Sequence, residues 1–593
     1  MTGTDAGGRP FAADPIVQAP GELPAAWVTQ LVSCVVDENV DLPDSALLTY
    51  RDPNHELLTD TGITIGTLVR ISVVTVQGQA RELLFSGEVT ALELDSDTTG
   101  SFTVVRAMSK AHRLFRGRRV QAFRNMTTAD IVRRVATGAG LACGRIEAAA
   151  AITYPQLTQA NVSDWEFLQY LARENGALVR VNDKDRLEFT RPTPAATAPA
   201  PSTPAASSPF VLEYGRNLMT LRAALTGADG VDTVEVRGWD VVTKSALVAR
   251  EPAVRSETVL PGLRASTVSG AFGGRSRLPV TDTPYRTHAE TTAAARSLAA
   301  EASAGLGEIE AVAEGNPRLR AGVPVALGNV GAAFSGRYTA TAVHHVLEPQ
   351  GGYRTTVLVS ASPDRSLAGL VTGANAPSRV PRMPGLAIGV VTDVREVGQA
   401  ERGWVRLRFP WLADDYVTDW VRTVQLGGRG GGGVFGPEVN DEVLVGFEQG
   451  FIDRPYVLGG LYNGVDRPSP HAVPLVDPTS GRLNRRSLVS RSGNRIELLD
   501  VRGGPSGVRL ASWDNRLEIQ LDEQQKKIDI SVRGAGGARA VSSVTLTDRG
   551  ITIDAGQGEL TLRGRSVSVN GETDVRVDGG LSATLRAGIV RIN

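Results

Sequence analysis

The sequence has little of several features that mark other classes of protein. Its 593 residues include only two cysteines and 5% aromatic residues, so neither a disulfide framework nor a cysteine-based zinc site is predicted. No apolar run is long enough to span a membrane as a helix, and the N-terminus lacks the basic segment and apolar stretch of a secretory signal. We therefore expect synthesis and assembly in the cytoplasm, without a signal peptide and without stable membrane insertion.

Basic and acidic residues are nearly equal in number. The 63 basic and 64 acidic residues give a formal net charge of -1. Proteins that bind nucleic acid usually carry a clear basic excess or a basic patch. The composition therefore predicts no nucleic-acid partner.

Glycine and proline, in contrast, are abundant. The chain has 65 glycines and 32 prolines, a composition that favours many short strands and turns over long helices. A chain of this length exceeds what a single core organises. We expect a mainly β protein of several domains.

One short pattern repeats through the C-terminal part of the chain. Two branched apolar residues separated by a polar one are followed by a turn, and from Val544 onward the pattern recurs roughly every eight residues. Strict alternation places the apolar side chains on one face of each strand. The apolar members are Ile528, Ile530, Val544, Leu546, Ile551, Ile553, Leu560, Leu562, Val567, Val569, Val575 and Val577.

A single sheet of such strands leaves its apolar face and its edges uncovered. Identical copies of the chain wound around one axis would enclose that face and give a closed prism. The pattern therefore predicts a rigid, intertwined trimeric needle of β-helix or β-prism type, with the listed side chains in its core.

The chain divides into four predicted regions. Residues 1–22 form a flexible N-terminal tail, 23–375 a strand-rich region of two β subdomains with attached helices, 376–470 a small barrel, and 471–593 the needle. A Pro/Ala tract at 191–209 is expected to be an extended linker that buries no core. Helices are predicted from Thr127, from Ser163 as N-cap, and across the alanine-rich stretch from His288.

The barrel region contains five strand candidates in about ninety residues, as expected for an OB fold. Among them, Val443 and Val445 are expected to point into the barrel, Asp441 and Glu442 to face solvent, and Gly446 to permit a close backbone approach. The segment Asp453-Arg454-Pro455 is expected to form the turn before the last strand.

The barrel sequence GPEVNDEVLVGFEQGFIDRPYVLGGLYNG, residues 436–464, resembles the signature of the VgrG-type hub and spike family of contractile injection systems, which includes phage tails, type VI secretion and extracellular systems. The upstream segments GWVRLRFPW and NVSDWEFLQYLARENGALVRV are also similar to that family. The signature positions are Gly436, Pro437, Asp441, Glu442, Val443, Val445, Gly446, Phe447, Asp453, Arg454, Pro455 and Gly459.

The resemblance implies a function in assembly. A homotrimer would connect the inner tube and baseplate of a contractile particle to its tip and puncture a target envelope on contraction. It would dock a PAAR-type tip protein and possibly effector cargo. We expect the tip protein to dock on the last residues, Ile589, Val590, Arg591, Ile592 and Asn593.

No catalytic, cofactor or metal site is predicted. The six histidines lie outside metal-binding motifs, and successive side chains of His344-His345 point to opposite faces of a strand. The glycine-rich segment 427–433 lacks the Gly-Lys-Ser/Thr ending of a phosphate-binding loop. Two alternatives stay open: a β-helical, glycan-binding adhesin of tailspike type, and a spike with a hidden peptidoglycan hydrolase activity.

Overall fold

The structure, a computed structural model, describes residues 12–75, 81–147, 152–225, 231–253, 258–260, 276–304, 307–348, 351–360, 382–396, 401–536 and 540–592. Strands account for 46% of the residues and helices for 12%. The mainly β fold class is confirmed. The chain forms two compact units, Met1–Leu461 and Tyr462–Asn593.

The first unit contains a hub region, residues 12–360, and a barrel region, residues 382–461. The hub strands are β1 (Ala12–Gln18), β2 (Leu31–Asn39), β3 (Leu42–Arg51), β4 (Leu68–Thr75), β5 (Arg81–Asp97), β6 (Gly100–Met108), β7 (Arg119–Thr127), β8 (Ala142–Ile146), β9 (Thr153–Val162), β10 (Leu178–Val181), β11 (Arg186–Thr190), β12 (Val211–Glu213), β13 (Leu218–Leu225), β14 (Thr233–Asp240), β15 (Ser245–Pro252), β16 (Thr258–Val259), β17 (Arg277–Tyr285), β18 (Gly307–Glu314), β19 (Pro324–Gly328), β20 (Gly336–Thr339), β21 (Ala342–Glu348) and β22 (Gly352–Val359). The hub helices are α1 (Ala25–Val28), α2 (Leu57–Thr61), α3 (Thr128–Gly138), α4 (Asp164–Asn175) and α5 (His288–Ala304).

A ten-stranded sheet organises the hub, in the order β1-β4-β5-β6-β3-β2-β21-β22-β18-β13. Strands β2 and β21 pair antiparallel and join the early and late parts of the sequence. One apolar core gathers on the early strands around Val36, Leu48 and Ile71, and a second on the late strands around Ile309 and Val343. The two predicted β subdomains thus have separate cores but share one sheet.

The predicted helix starts are confirmed. Ser163 Oγ accepts the backbone N–H of Glu166 at 3.2 Å, and the Glu166 carboxylate accepts the N–H of Ser163 at 2.8 Å. This reciprocal capping box satisfies two N–H groups that the first turn leaves unpaired. Thr127 and Asp130 form the same arrangement at the start of α3. The caps fix α4 with its apolar side inward.

The expectation that 191–209 is a linker without core contacts is wrong. Ala195, Ala198 and Ala205 are buried, and two short 3-10 turns lie within the tract. Arg337 donates hydrogen bonds to the carbonyl groups of Pro199 and Ala196 at 3.1 and 3.0 Å. Small side chains let the tract lie close against β19 and β20, which composition alone does not reveal.

One N-terminal expectation also needs correction. Part of the predicted tail is strand β1, which pairs antiparallel with β4 at the edge of the large sheet, while residues 1–11 lie outside the described residues. After the tail, the stretch WVTQ contains the end of α1, and Trp27 is buried. Strand β2 starts only at Leu31.

The barrel is a five-stranded sheet in the order β24-β23-β26-β27-β25. A backbone bridge between Val405 and Val421 links its two outer strands and closes it. The core includes Phe409, Val443 and Val445, each fully buried. The strands are β23 (Leu386–Asp393), β24 (Arg406–Arg408), β25 (Arg422–Thr423), β26 (Glu442–Phe447) and β27 (Pro455–Gly460).

The second unit is a seven-stranded antiparallel meander in which each strand pairs with the next. Its strands are β28 (Arg485–Val489), β29 (Arg495–Asp500), β30 (Ser506–Ala511), β31 (Leu517–Asp522), β32 (Lys527–Arg533), β33 (Ala540–Thr547) and β34 (Gly550–Asp554). The first strand of the meander therefore starts at Arg485. No strand occurs between residues 555 and 592.

Candidate assembly surface of the C-terminal strands

One face of the meander carries two continuous rows of apolar side chains, which we call the apolar ladders. Cross-strand pairing aligns each apolar residue with one on the next strand. The first ladder is Leu488, Ile496, Leu510, Ile519, Ile530, Val544 and Ile553. The second is Leu498, Val508, Leu521, Ile528, Leu546 and Ile551.

The apolar ladders are largely uncovered in the protomer. Exposed fractions are 40% for Ile519, 46% for Ile530, 52% for Ile553 and 68% for Ile551. Scattered exposed apolar residues are ordinary, but a contiguous apolar face of this kind marks an interaction surface. Cross-strand pairing places the six predicted core residues between Ile528 and Ile553 together on this face.

The predicted core residues begin at Ile528 and so leave out the first half of the ladders. The structure extends them from Ile528 back to Leu488 through β28–β31. The signal was present, because Ile496-Glu497-Leu498, Val508-Arg509-Leu510 and Ile519-Gln520-Leu521 repeat the same alternation. Longer turns between these strands break the eight-residue period and conceal the pattern.

The opposite face carries a chain of ion pairs. Arg509 bridges two carboxylates, with Nη1 3.0 Å from Glu497 and Nε 2.6 Å from Glu518. Arg533 continues the chain at 2.9 Å from Glu518. His471, from the segment before β28, lies 3.2 Å from Glu497. The Glu497 side chain is fully buried, so this face is not the plain solvated surface that alternation suggested.

The remaining predicted needle residues lie in a region without strands. Leu560, Leu562, Val567, Val569, Val575 and Val577 are all more than half exposed. The alternation that predicted strands there is intact, but an isolated protomer offers these segments no strand to pair with. Ile589, Val590 and Ile592 are exposed in the same way, and Asn593 lies outside the described residues.

The barrel signature residues serve mainly to build the fold. Val443 and Val445 point into the core from β26 as predicted, and Asp453-Arg454 lies in the turn before β27. The expectation for Gly446 is not met, since a methyl group there would lie 3.4 Å from Leu458, an ordinary contact. Segment 427–433 is an exposed loop between β25 and β26.

Other signature residues line the outer parts of the barrel. Phe447 packs edge-on against Phe409 with ring centroids 5.9 Å apart. Pro455 starts β27, and Gly459 lies opposite Leu444. Gly436 and Pro437 are in the loop before β26.

The adjacent residues His344 and His345 lie in different environments. Nδ1 of His344 is hydrogen-bonded to Asp37, whereas His345 is buried with the Tyr353 hydroxyl 2.8 Å from its Nδ1. Burial lowers the pKa of His345 to about 3. Within the described part of the chain, no group of three or more His, Cys, Asp or Glu residues could hold a metal ion.

Comparison with protein families gives two matches. Residues 387–462 match the type VI secretion system/phage-baseplate injector OB domain, and residues 64–348 match the Alg8 N-terminal domain. Curated relatives include two type VI secretion system spike proteins of Pseudomonas aeruginosa. VgrG1c is 28% identical over 25% of this chain and 21% of its own length. VgrG5 is 38% identical over 16% of this chain and 13% of its own length. The predicted resemblance to VgrG-type spike proteins is confirmed. The chain matches about a fifth of the length of VgrG1c.

Comparison with solved structures also gives matches. An Escherichia coli type VI secretion component, c3393, is 14% identical, with a TM-score of 0.46 over 73% of this chain and 97% of its own. The PdpA–VgrG complex is 10% identical, with a TM-score of 0.47 over 91% of this chain and 98% of the matched chain. The prophage MuSo2 tail protein of Shewanella oneidensis is 13% identical, with a TM-score of 0.43 over 58% of this chain and 97% of its own.

Among the described residues, no helix combines the length and the apolar character needed to cross a membrane.

Proposed function

We propose that this chain is one protomer of the trimeric central spike of a contractile injection system. In this function it joins the inner tube and baseplate to the tip, punctures the target envelope and docks a PAAR-type tip protein, with no catalytic activity of its own. The observation that carries the proposal is the pair of apolar ladders, which one protomer leaves open. The similarity of the barrel to injector OB domains supports the same assignment.

Three copies can cover the ladders by facing one another. Each apolar ladder crosses the strands of the meander, so the exposed face is long and narrow and matches itself in an identical copy. Side chains such as Ile530 and Ile551 would then leave water together, and burying an isoleucine side chain contributes about 1.5–3 kcal/mol. The charged face with Arg509 and Glu518 would stay on the outside.

Beyond Asp554 we propose a second mode of assembly. Residues 555–592 keep the alternating pattern without strand pairing inside the chain. Their backbone N–H and C=O groups need partners wherever they leave water. Strands of the three copies can supply these partners to each other, so each copy contributes one strand in turn to an interwound stalk.

Such a stalk suits mechanical work. Closed hydrogen bonding removes the free sheet edges at which an isolated strand could peel or pair wrongly. Ile589 and Ile592, which are exposed, would contact the tip protein.

Four measurements test the assignment. Light scattering on the purified chain should give three times the 62.7 kDa protomer mass. A PAAR-type protein encoded beside this chain should bind it, and Ile592→Asp should abolish that binding without changing the mass of the assembly. A lytic band in a peptidoglycan zymogram of the pure protein, or saturable glycan binding by it, would refute the purely structural function.

A further inference from the structure

A small cavity lies where the hub meets the barrel. Its walls come from β9, the last turn of α4, the end of β17 and the barrel loop Glu448–Arg454. Three carboxyl groups line it: Glu174 from α4, Glu290 from α5 and Asp453 from the loop. Carboxyl groups from separate elements thus converge on one joint between two regions of the chain.

One of the three acids forms an ion pair, and the charges of Arg454 and Arg286 act on a second, Asp453. Glu290 lies 3.7 Å from Arg454, and its carboxylate also accepts the backbone N–H groups of Arg286 and Thr287 at 2.8 and 3.1 Å. In contrast, no ion pair within 4 Å is found for Glu174 or Asp453 in the described ranges. Oδ1 of Asp453 is shielded from solvent without a hydrogen-bond partner there.

Burial favours the neutral form of Glu174, while the groups around it act in opposite directions. The Tyr285 hydroxyl donates a 3.3 Å hydrogen bond to it, and the other titratable groups near it are Tyr154, Tyr170, Glu290, Asp453, Arg454 and Arg286. Burial raises the pKa of Glu174 to about 7; the Tyr285 hydrogen bond opposes that rise, and the charge of Glu290 adds to it. Burial also raises the pKa of Asp453.

The loop is held to the hub by contacts next to these acids. Thr158 N donates to Oδ2 of Asp453 at 3.1 Å. Elsewhere in the barrel, the hydroxyl of Tyr416 accepts a 2.9 Å hydrogen bond from Gln156 of the hub. Arg286 pairs with Glu448 at 3.3 Å. Ionising Glu174 would place a buried charge without an ion pair beside this contact.

We propose that this cavity is a proton-operated joint, in which protonated Glu174 lets the loop Glu448–Arg454 close on the hub and ionised Glu174 loosens it. The sign follows from linkage. A carboxyl group with a higher pKa in the closed joint than in the open one binds more protons when closed, so closure is strongest in acid and weakens as the pH rises towards 7. Each pKa unit between the two states changes the closing constant tenfold.

Hydrogen–deuterium exchange on the full assembled chain tests the joint. After correction for intrinsic exchange, protection of loop 448–454 should fall at least tenfold between pH 5 and pH 8. In Glu174→Gln, whose side chain cannot ionise, protection should be independent of pH. The matched control Glu56→Gln removes an exposed hub carboxylate and should keep the wild-type pH dependence.

A second variant covers the case in which Glu174→Gln fails to fold. Tyr285→Phe removes a hydrogen bond that stabilises the ionised carboxylate, so the loss of protection should move to higher pH. Equal pH dependence in the wild type and Glu174→Gln, protection lost on acidification, or no shift in Tyr285→Phe would overturn the proposal. None of these outcomes depends on the assembly being a spike.

Discussion

The backbone N–H of Thr158 in hub strand β9 donates a 3.1 Å hydrogen bond to the carboxylate of Asp453 in the barrel loop. The two residues are 295 positions apart in the sequence. A residue of the predicted barrel turn therefore also fastens the barrel to the hub.

Removing this carboxylate should destabilise the first unit. Asp453→Ala leaves a strand N–H without its acceptor, and we expect a loss of about 1–3 kcal/mol in the free energy of unfolding. Chemical denaturation followed by tryptophan fluorescence measures it. Asp415→Ala removes an exposed carboxylate from the same barrel and should stay within about 0.5 kcal/mol of the wild type. Equal effects of the two substitutions would show that the Asp453 contact is not stabilising.

The apolar ladders can be tested with two neighbouring residues of β34. Ile553→Asp places a charge on the apolar face, and Thr552→Asp places the same charge on the opposite face. Both side chains are exposed in the protomer, so neither change should disrupt its own fold. Burial of an unpaired carboxylate in a shared core costs several kcal/mol per copy. Ile553→Asp should therefore sediment as a protomer and Thr552→Asp as a trimer, while identical sedimentation of the two variants would place the interface elsewhere.

Replacing Arg509, which joins the ion pairs on the opposite face of the meander, should lower the stability of the second unit. Arg509→Met leaves the buried carboxylate of Glu497 and the carboxylate of Glu518 without their shared cation, which should cost about 3–5 kcal/mol. Arg486→Ala breaks an exposed pair, 2.6 Å from Asp500 with both side chains more than half exposed, and should cost at most about 1 kcal/mol. Thermal unfolding of the second unit, followed by circular dichroism, compares them. A larger loss of stability in Arg486→Ala than in Arg509→Met would show that the buried ion pairs of Arg509 do not stabilise the second unit.

A cluster on β14, β15 and β17 predicts acid sensitivity of the hub. Arg250, Arg237 and Arg277 surround Glu235 at 2.7–2.8 Å, and the hydrogen bonds and charges of Arg250 and Arg237 lower the pKa of Glu235 to about 2. A lowered pKa stabilises the fold above the unfolded-state value near 4.5, and this contribution disappears as the pH falls towards 2. Unfolding midpoints between pH 5 and 2 should therefore drop less steeply in Glu235→Gln than in the wild type. Parallel curves would show that Glu235 does not contribute.

The features that could be predicted from the sequence are those set by the local residue pattern. The capping residues Thr127 and Ser163, the alternation around Val443 and Val445, and the ladder residues from Ile528 to Ile553 all follow from spacing within a few positions. Contacts between distant segments were not predictable in this way. The burial of Ala195 depends on packing against strands more than a hundred residues later.

Beyond Asp554, the sequence pattern alone does not determine whether strands form. Its alternation indicates strands, yet a strand needs a partner, and a single protomer provides none there. The predicted core residues Leu560 to Val577 and the tip residues Ile589 to Ile592 stay predictions that only the assembled state can test.

Sedimentation equilibrium of the full chain at micromolar concentration tests the central claim most directly. The account predicts one species of three times 62.7 kDa, with the apolar ladders buried between copies. A stable, folded species of 62.7 kDa at that concentration would contradict it.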